Sequence, residues 1–197
     1  MMIIDSDETL IRRLSEGDDT ALTALMDKYL SKIHSYAYQM LGDVMKAEDI
    51  SQIVFLKVWQ MAPNWEFGRG TIQAYLYRLT SHRCLDLLRK SSESLPGTLP
   101  EMIDQHPNAE RQLSEIERSE TIKHALEQLP ARQHMAITLN YYQELSLKEA
   151  AQTLDMTVSA FDSLLRRARK NLKQILSQPA LPKTQTPPPI DNTEISL

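Results

Sequence analysis

A chain of 197 residues with a 42% apolar fraction is long enough to bury one large or two small cores, which excludes a disordered polymer. Its net charge of −4 excludes a histone-like, generally adhesive nucleic-acid binder, and its single cysteine, Cys84, excludes an internal disulfide and fits a reducing cytoplasm. No zinc-type Cys/His spacing and no run of about 20 apolar residues occurs, and the start MMIIDSDETLIRR turns acidic at once. The expectation is therefore a soluble, untargeted protein without metal, cofactor or membrane span.

Few glycines, little β-branched alternation and long helical periods predict an all-α fold. Leu10, Leu14, Leu22, Leu25, Met26, Tyr29, Ile33 and Tyr36 are core positions of two helices separated by the turn Glu16-Gly17-Asp18-Asp19. A third helix is predicted over Ala47 to Met61, with Ile50, Val54, Phe55 and Val58 inward. Asp49, Gln52, Ile53 and Leu56 share another face through their i, i+3, i+4, i+7 spacing. That helix is apolar over more of its circumference than one core needs, the pattern of a protein interface.

Pro63 to Gly70 (PNWEFGRG) breaks the helical pattern, placing Trp65 and Phe67 in a loop. From Thr71 to Lys90 a fourth helix turns Ile72, Tyr75, Leu76 and Leu79 inward and is expected to leave Tyr77, Arg78, His82, Arg83, Arg89 and Lys90 to solvent. Aromatics flanking a basic helix suit unstacked single-stranded bases, because stacking supplies energy while cations track the backbone.

Ser91 to Asn108 contains Pro96, Gly97, Pro100 and Pro107 and has the composition of an interdomain linker. The predicted organisation is two small helical domains, 1–90 and 116–178, joined by a flexible acidic linker at 91–115 and followed by a disordered proline-rich tail at 179–197.

The second domain carries the most informative segment, Leu145 to Leu176. Ser146 and Glu149 form an S-x-x-E capping box opening a helix of about two turns, Leu154-Asp155-Met156 breaks it, and Thr157 caps the next helix. There Val158, Phe161, Leu165, Ala168, Leu172 and Ile175 form a buried stripe, and Ser159, Ser163, Arg166, Arg167 and Lys170 fall opposite. A tight helix-turn-helix whose second helix offers small hydroxyls and then cations suits entry into a DNA major groove. Leu164 to Lys173 holds five bases and no acid, whereas the first fifty residues hold ten acids against five bases. The field of the whole chain therefore opposes DNA, and binding by the free protein is expected to be weak and partner-dependent.

Other classes fit less well. His34, His82, His106, His124, His134 and Cys84 form no catalytic motif, and no phosphate-binding loop exists, so an enzyme is not expected. A conventional helix-turn-helix regulator, acting without being a polymerase subunit, is the alternative. It would need a dimer to read two half-sites, and no sustained dimerisation heptad is present outside the second helix of the helix-turn-helix itself.

In order along the chain stand Glu16-Gly17-Asp18; Ala47-Glu48-Asp49 with Gln52, Phe55 and Trp59; Gly68-Arg69-Gly70; and Tyr75-Leu76-Tyr77-Arg78 ending in Asp86 to Lys90. Leu129-Pro130 with Arg132-Gln133, Leu145-Ser146 with Glu149-Ala150-Ala151, and Arg167-Ala168-Arg169 follow. In these motifs, over about residues 8 to 177, the chain resembles the extracytoplasmic-function (ECF) sigma factors of bacterial RNA polymerase.

The resemblance implies a cytoplasmic bacterial protein, monomeric when free, that binds core RNA polymerase through its β and β′ subunits, promoter DNA and an anti-sigma factor. It implies that Asp49, Gln52, Ile53 and Leu56 dock on the β′ clamp helices. Minus-ten contacts would come from Asn64, Trp65, Phe67, Arg69, Tyr77, Arg78, His82, Arg83 and Arg89, with a flipped base received by the loop. Minus-thirty-five contacts would come from Thr157, Ser159, Ser163, Arg166, Arg167 and Lys170, and the helix around Leu129 to Tyr142 would meet the β flap. The acidic linker would thread a channel that otherwise takes anionic RNA. The chain departs from the family pattern in three places: at Ile53 where an acid is usual, at His82 for asparagine, and over the segment Ser159-Ala160-Phe161-Asp162 for Gly-Thr-Val followed by a base.

Overall fold

The computed structural model describes residues 6–68, 70–94 and 120–177, and among these every regular element is helical. Helix α1 (Asp7–Ser15) is capped by Ser6, whose Oγ accepts from Thr9 N at 3.2 Å, and carries acids in its first turn and Arg12 and Arg13 in its last, opposing the helix dipole at both ends. Gly17, at φ +91°, reverses the chain. Behind it Arg13 grips Asp18 through Nε and Nη2 at 2.9 and 2.8 Å, so Glu16-Gly17-Asp18 is a braced turn.

Helix α2 (Thr20–Leu41) ends at Gly42, left-handed at φ +64°, whose N–H reaches Tyr38 O at 2.8 Å. Asp43 then caps α3 (Val44–Met61) by accepting from Lys46 N at 3.1 Å, so this helix begins three residues before the Ala47 expected from its apolar period. A 3₁₀ turn at Ala62–Asn64 and a short loop lead to α4 (Ile72–Ser94). Leu25, Ile33, Tyr36, Val54, Val58 and Leu76 are fully buried between these helices.

Helix α4 continues through Ser94, so the first four residues of the expected linker are helical. Residues 95–115 of that linker and the tail 179–197 lie outside the described residues, as do His106 and Arg69.

In the C-terminal part, residues 120–127 form α5, and Pro130 leads into α6 (Ala131–Ile137), which runs on as a π-helical turn at Thr138–Tyr142. Helix α7 (Leu147–Thr153) has the expected capping box: Ser146 Oγ accepts from Glu149 N at 3.3 Å, and Glu149 Oε2 accepts from Ser146 N at 2.9 Å. Replacing Ser146 by Ala should cost about 1 kcal/mol. That should lower the thermal midpoint of the C-terminal helices by about 4–8 °C in far-ultraviolet circular dichroism.

Asp155, at φ +52°, makes the turn, and Thr157 Oγ1 accepts from Ala160 N at 3.2 Å to cap α8 (Val158–Ser177). Phe161, Leu165 and Ala168 are buried as expected, and Leu172 and Ile175 pack partly buried against the core. Val158 departs from the expected stripe: it is exposed in the first turn of α8, and Leu164 is buried as well.

Each helical group is legible in the sequence as a unit, but the two are more than tethered. Helix α4 lies against α7 and α6, and α2 lies against α6 and the π turn. One continuous apolar cluster runs through both.

Candidate nucleic-acid and partner interfaces

On α3 the inward residues Ala47, Ile50, Val54, Phe55 and Val58 are buried, whereas Asp49, Gln52, Ile53 and Leu56 are all exposed. At about 100° per residue, Met45, Asp49, Gln52, Leu56 and Trp59 form one stripe, with Ile53 on its flank. Met45 and Trp59 are 69% and 47% exposed, so the apolar part of this face is larger than the periodic reading found. Trp59 is held in place by Asp19, whose Oδ1 accepts from its Nε1 at 3.0 Å.

The loop after α3 distributes its aromatics unequally. Trp65 is half-buried, packed edge-on against Tyr75 with ring centroids 5.6 Å apart, so most of it belongs to the core rather than to an open pocket. Phe67 is exposed and lies under the Arg12 guanidinium at 4.9 Å, and Asn64 is exposed at the end of the 3₁₀ turn. An aromatic face with an adjacent cation is the arrangement that stacks on an unpaired base.

Along α4, His82 and Arg89 are exposed and Arg78 and Arg83 are partly exposed. Tyr77 corrects the sequence expectation: it is fully buried rather than open to solvent, because the C-terminal helices cover it. Its ring meets Tyr36 edge-on at 5.5 Å and its hydroxyl donates to Gln143 Oε1 at 2.8 Å. Burial pushes its phenol up to about 12, so it stays a neutral donor. Burial likewise pushes the Cys84 thiol up to about 12, which leaves it inert.

Helix α8 presents Ser159, Ser163, Arg166, Arg167 and Lys170 together on its open side, all exposed, while Thr157, also exposed, is the cap in front of it and lies off that face. Asp162 is ion-paired with Arg166 one turn on, and Arg167 Nε donates to Ser163 O at 3.3 Å. The carboxylate that borders this face is therefore engaged by a cation of the same face. Arg169 belongs elsewhere: it stacks on Tyr141 at 5.2 Å and donates to Asn140 Oδ1 at 3.3 Å.

Two features escaped the sequence reading. An apolar groove of about 470 Å³ lies between α5, α6 and α8, walled by Ile122, Leu126, Tyr141, Tyr142 and Leu172 with Arg169 and Lys173 at its lip. A set of polar contacts also joins the two helical groups. Besides the Tyr77–Gln143 bond, Gln143 Nε2 reaches Gln39 Oε1 at 3.4 Å, and Lys123 sits over the Tyr38 ring at 5.5 Å. Asp155 lies 3.5 Å from Arg78 Nη1 and 3.2 Å from His82 Nε2. Pairing between residues more than sixty positions apart leaves no periodic trace. Among the described residues no cluster of His, Cys, Asp or Glu could hold a metal ion, and no helix is long and apolar enough to cross a membrane.

Two family descriptions match this chain: Sigma-70 region 2 over residues 25–93 and Sigma-70, region 4 over residues 119–172. The chain is 28% identical over 177 residues to the ECF RNA polymerase sigma factor SigW of Bacillus subtilis (strain 168), a match covering 84% of this chain and 94% of SigW. Its fold is similar to that of CnrH in complex with the cytosolic domain of CnrY, with a TM-score of 0.67 at 21% identity over 87% of this chain and 97% of CnrH. It is also similar to the sigma factor RpoE in complex with the anti-sigma factor NepR from Bartonella quintana, with a TM-score of 0.62 at 24% identity over 78% of this chain and 95% of that one.

Proposed function

Because the chain belongs to the ECF sigma factors of the sigma-70 family, carrying region 2 and region 4 in order, we propose that it joins bacterial core RNA polymerase and directs initiation at a specific set of promoters in the bacterial cytoplasm. It is a transcription initiation factor and not an enzyme.

The observation that carries the assignment of parts is the separation of two exposed faces with different chemistry. The α3 stripe mixes apolar and acidic groups, suited to a protein, and docks on the β′ clamp through Asp49, Gln52, Ile53 and Leu56, with Met45 and Trp59 extending it. The α8 face mixes hydroxyls and cations, suited to a duplex, and reads the minus-thirty-five element. Serines at its start lie against base edges, while Arg166, Arg167 and Lys170 meet phosphate or base.

Asn64, Phe67 and the cations of α4 take the non-template strand of the minus-ten element, with Phe67 the accessible stacking surface and Trp65 a half-buried support. The groove beside Tyr141 and Tyr142 takes the β flap. An anti-sigma factor is a further partner, in keeping with the assembly of RpoE with NepR.

Run-off transcription with core polymerase on a genomic promoter library tests the reading: discrete start sites that depend on this protein are expected. Strong, specific binding of duplex promoters by the free chain at physiological salt would count against it. Arg166→Ala and Arg167→Ala should each weaken closed-complex formation, and at least one should reduce the salt slope by about one unit in filter binding. Phe67→Ala should leave the closed complex intact and reduce permanganate reactivity of the melted region, and normal opening by that variant would show that the loop aromatic does not capture a base.

A further inference from the structure

We infer that Asp19, in the turn between α1 and α2, is a positioning residue for the polymerase-binding face of α3: its carboxylate holds the exposed indole of Trp59 in the pose in which that ring meets its partner. The inference rests on the proposed docking of α3 on polymerase and adds to it a side chain from another part of the fold, 40 positions away in the chain. Two observations carry it. Trp59 is half exposed, yet its one polar atom is already paired, Nε1 donating to Asp19 Oδ1 at 3.0 Å. Asp19, for its part, stands at the N-cap position of α2 and makes no capping bond with its side chain. Its neighbour Asp18 bonds the helix start instead, accepting from Thr20 N at 3.0 Å through Oδ1 while Arg13 grips Oδ2. A carboxylate that would ordinarily turn back onto its own helix is thus given over to a side chain on a different one.

The bond removes two penalties that an unsupported indole would bring to an interface. When a partner covers the ring, the N–H leaves water with it, and a donor buried without an acceptor opposes binding. Here the acceptor accompanies the donor and is charged, which strengthens the bond. The ring also enters the contact already ordered, so its rotamer freedom is lost on folding rather than on assembly. The support beneath it is stiff: the Arg13–Asp18 pair braces the turn, and Asp19 itself has helical backbone angles, φ −64° and ψ −17°. A side chain serving the fold alone would be buried, as Phe55 is on the same helix, whereas Trp59 is tied down at its nitrogen and left half open. A fixed tryptophan three residues beyond the exposed Leu56 has the composition and the rigidity of an interface anchor.

The test reads assembly with core polymerase and involves no promoter DNA. Biosynthetic 5-hydroxytryptophan is placed at position 59 of the full chain carrying Trp65→Phe, which leaves a single indole, excited to the red of the tryptophans of polymerase. Acrylamide should quench this label in the free protein and much less in the holoenzyme. Asp19→Ala should leave the thermal midpoint within a few degrees, because alanine suits the helical backbone at that position. It should add a fast component to the anisotropy decay of the free label and weaken assembly by about threefold to tenfold, the scale of immobilising one side chain. Asp19→Asn, which keeps an oxygen acceptor, should restore most of both. In the unlabelled chain, Trp59→Phe removes the N–H, and Asp19→Ala added to it should weaken assembly no further, since two residues acting through one bond are not additive. Equal quenching in free and assembled protein, or full additivity of Asp19→Ala and Trp59→Phe on assembly, overturns the inference. So does a large fall in thermal midpoint for Asp19→Ala with unchanged assembly, the result of a contact that serves the fold alone. A wild-type chain that fails to join core polymerase overturns the proposed function itself, and the inference with it.

Discussion

Replacing Asp49, Gln52 and Leu56 together with Ala is expected to weaken assembly with core polymerase by about tenfold to a hundredfold, the scale of losing a central interface anchor with its polar surround. The same change should shift the thermal midpoint by no more than a few degrees, because all three side chains are exposed and none fills the core. Leu56 is the residue expected to dominate: it is 52% exposed and lies within a turn of the exposed Ile53 and Trp59, so polymerase would remove a continuous apolar surface from water. Size-exclusion chromatography with core polymerase, beside calorimetry of the free variant, separates the two effects. A large loss of stability with normal assembly would mean that the face packs within the protein itself.

Acid should destabilise the C-terminal helices well above the pH at which carboxylates protonate. His134 on α6 is buried, and burial pushes its imidazole down to about 4 from the ordinary 6.5. The folded form therefore resists a proton that the unfolded chain accepts. Stability from the neutral, buried ring is fully present above pH 6.5, is lost as pH falls from 6.5 towards 4, and is flat below that. The full loss is about 3 kcal/mol, because each tenfold difference in proton affinity between the folded and unfolded chain is worth about 1.4 kcal/mol.

Asp18 and Asp43 act in a lower window. Thr20 and then Arg13 hold the Asp18 carboxyl below its ordinary 3.8, and the Lys46 amide and ammonium do the same for Asp43, so their stabilisation disappears only as pH falls through and below that range. Thermal midpoints measured between pH 7.5 and 4.5 should fall steeply for the wild type and much less for His134→Gln. Equal slopes would show that His134 titrates normally in the folded state.

Periodicity and capping make most of the fold readable, because both are local. The capping box at Ser146 and Glu149, the Thr157 cap and the exposed polar face of α8 follow from residues within a turn or two of each other. Tyr77 shows where that logic stops. Its position on α4 reads as solvent-facing because the period of that helix places it off the inward stripe, whereas Tyr36 packs against its ring and the group that meets its hydroxyl, Gln143, is 66 residues away. The exposure of Trp65 is hard to read for a related reason: a loop aromatic gives no period, and only its edge-on packing against Tyr75 fixes how much of it remains accessible. Resemblance supplied the partners, while geometry decided which side chains are free to meet them.

The π turn at Thr138–Tyr142 bears on how the sequence of this region can change length. Its defining bond, from Gln143 N to Thr138 O at 3.0 Å, spans one residue more than an α-helical bond, as though one residue had been inserted into the end of α6. The widened turn aims Tyr141 and Tyr142 at the groove and Gln143 at Tyr77. Deleting a single residue here would regularise the helix and rotate all that follows by about 100°. The groove wall and the contact between the two helical groups would then be lost in one event. Length at this point is therefore under tighter constraint than side-chain identity: a substitution at Tyr141 or Gln143 touches one surface, and a one-residue deletion removes two.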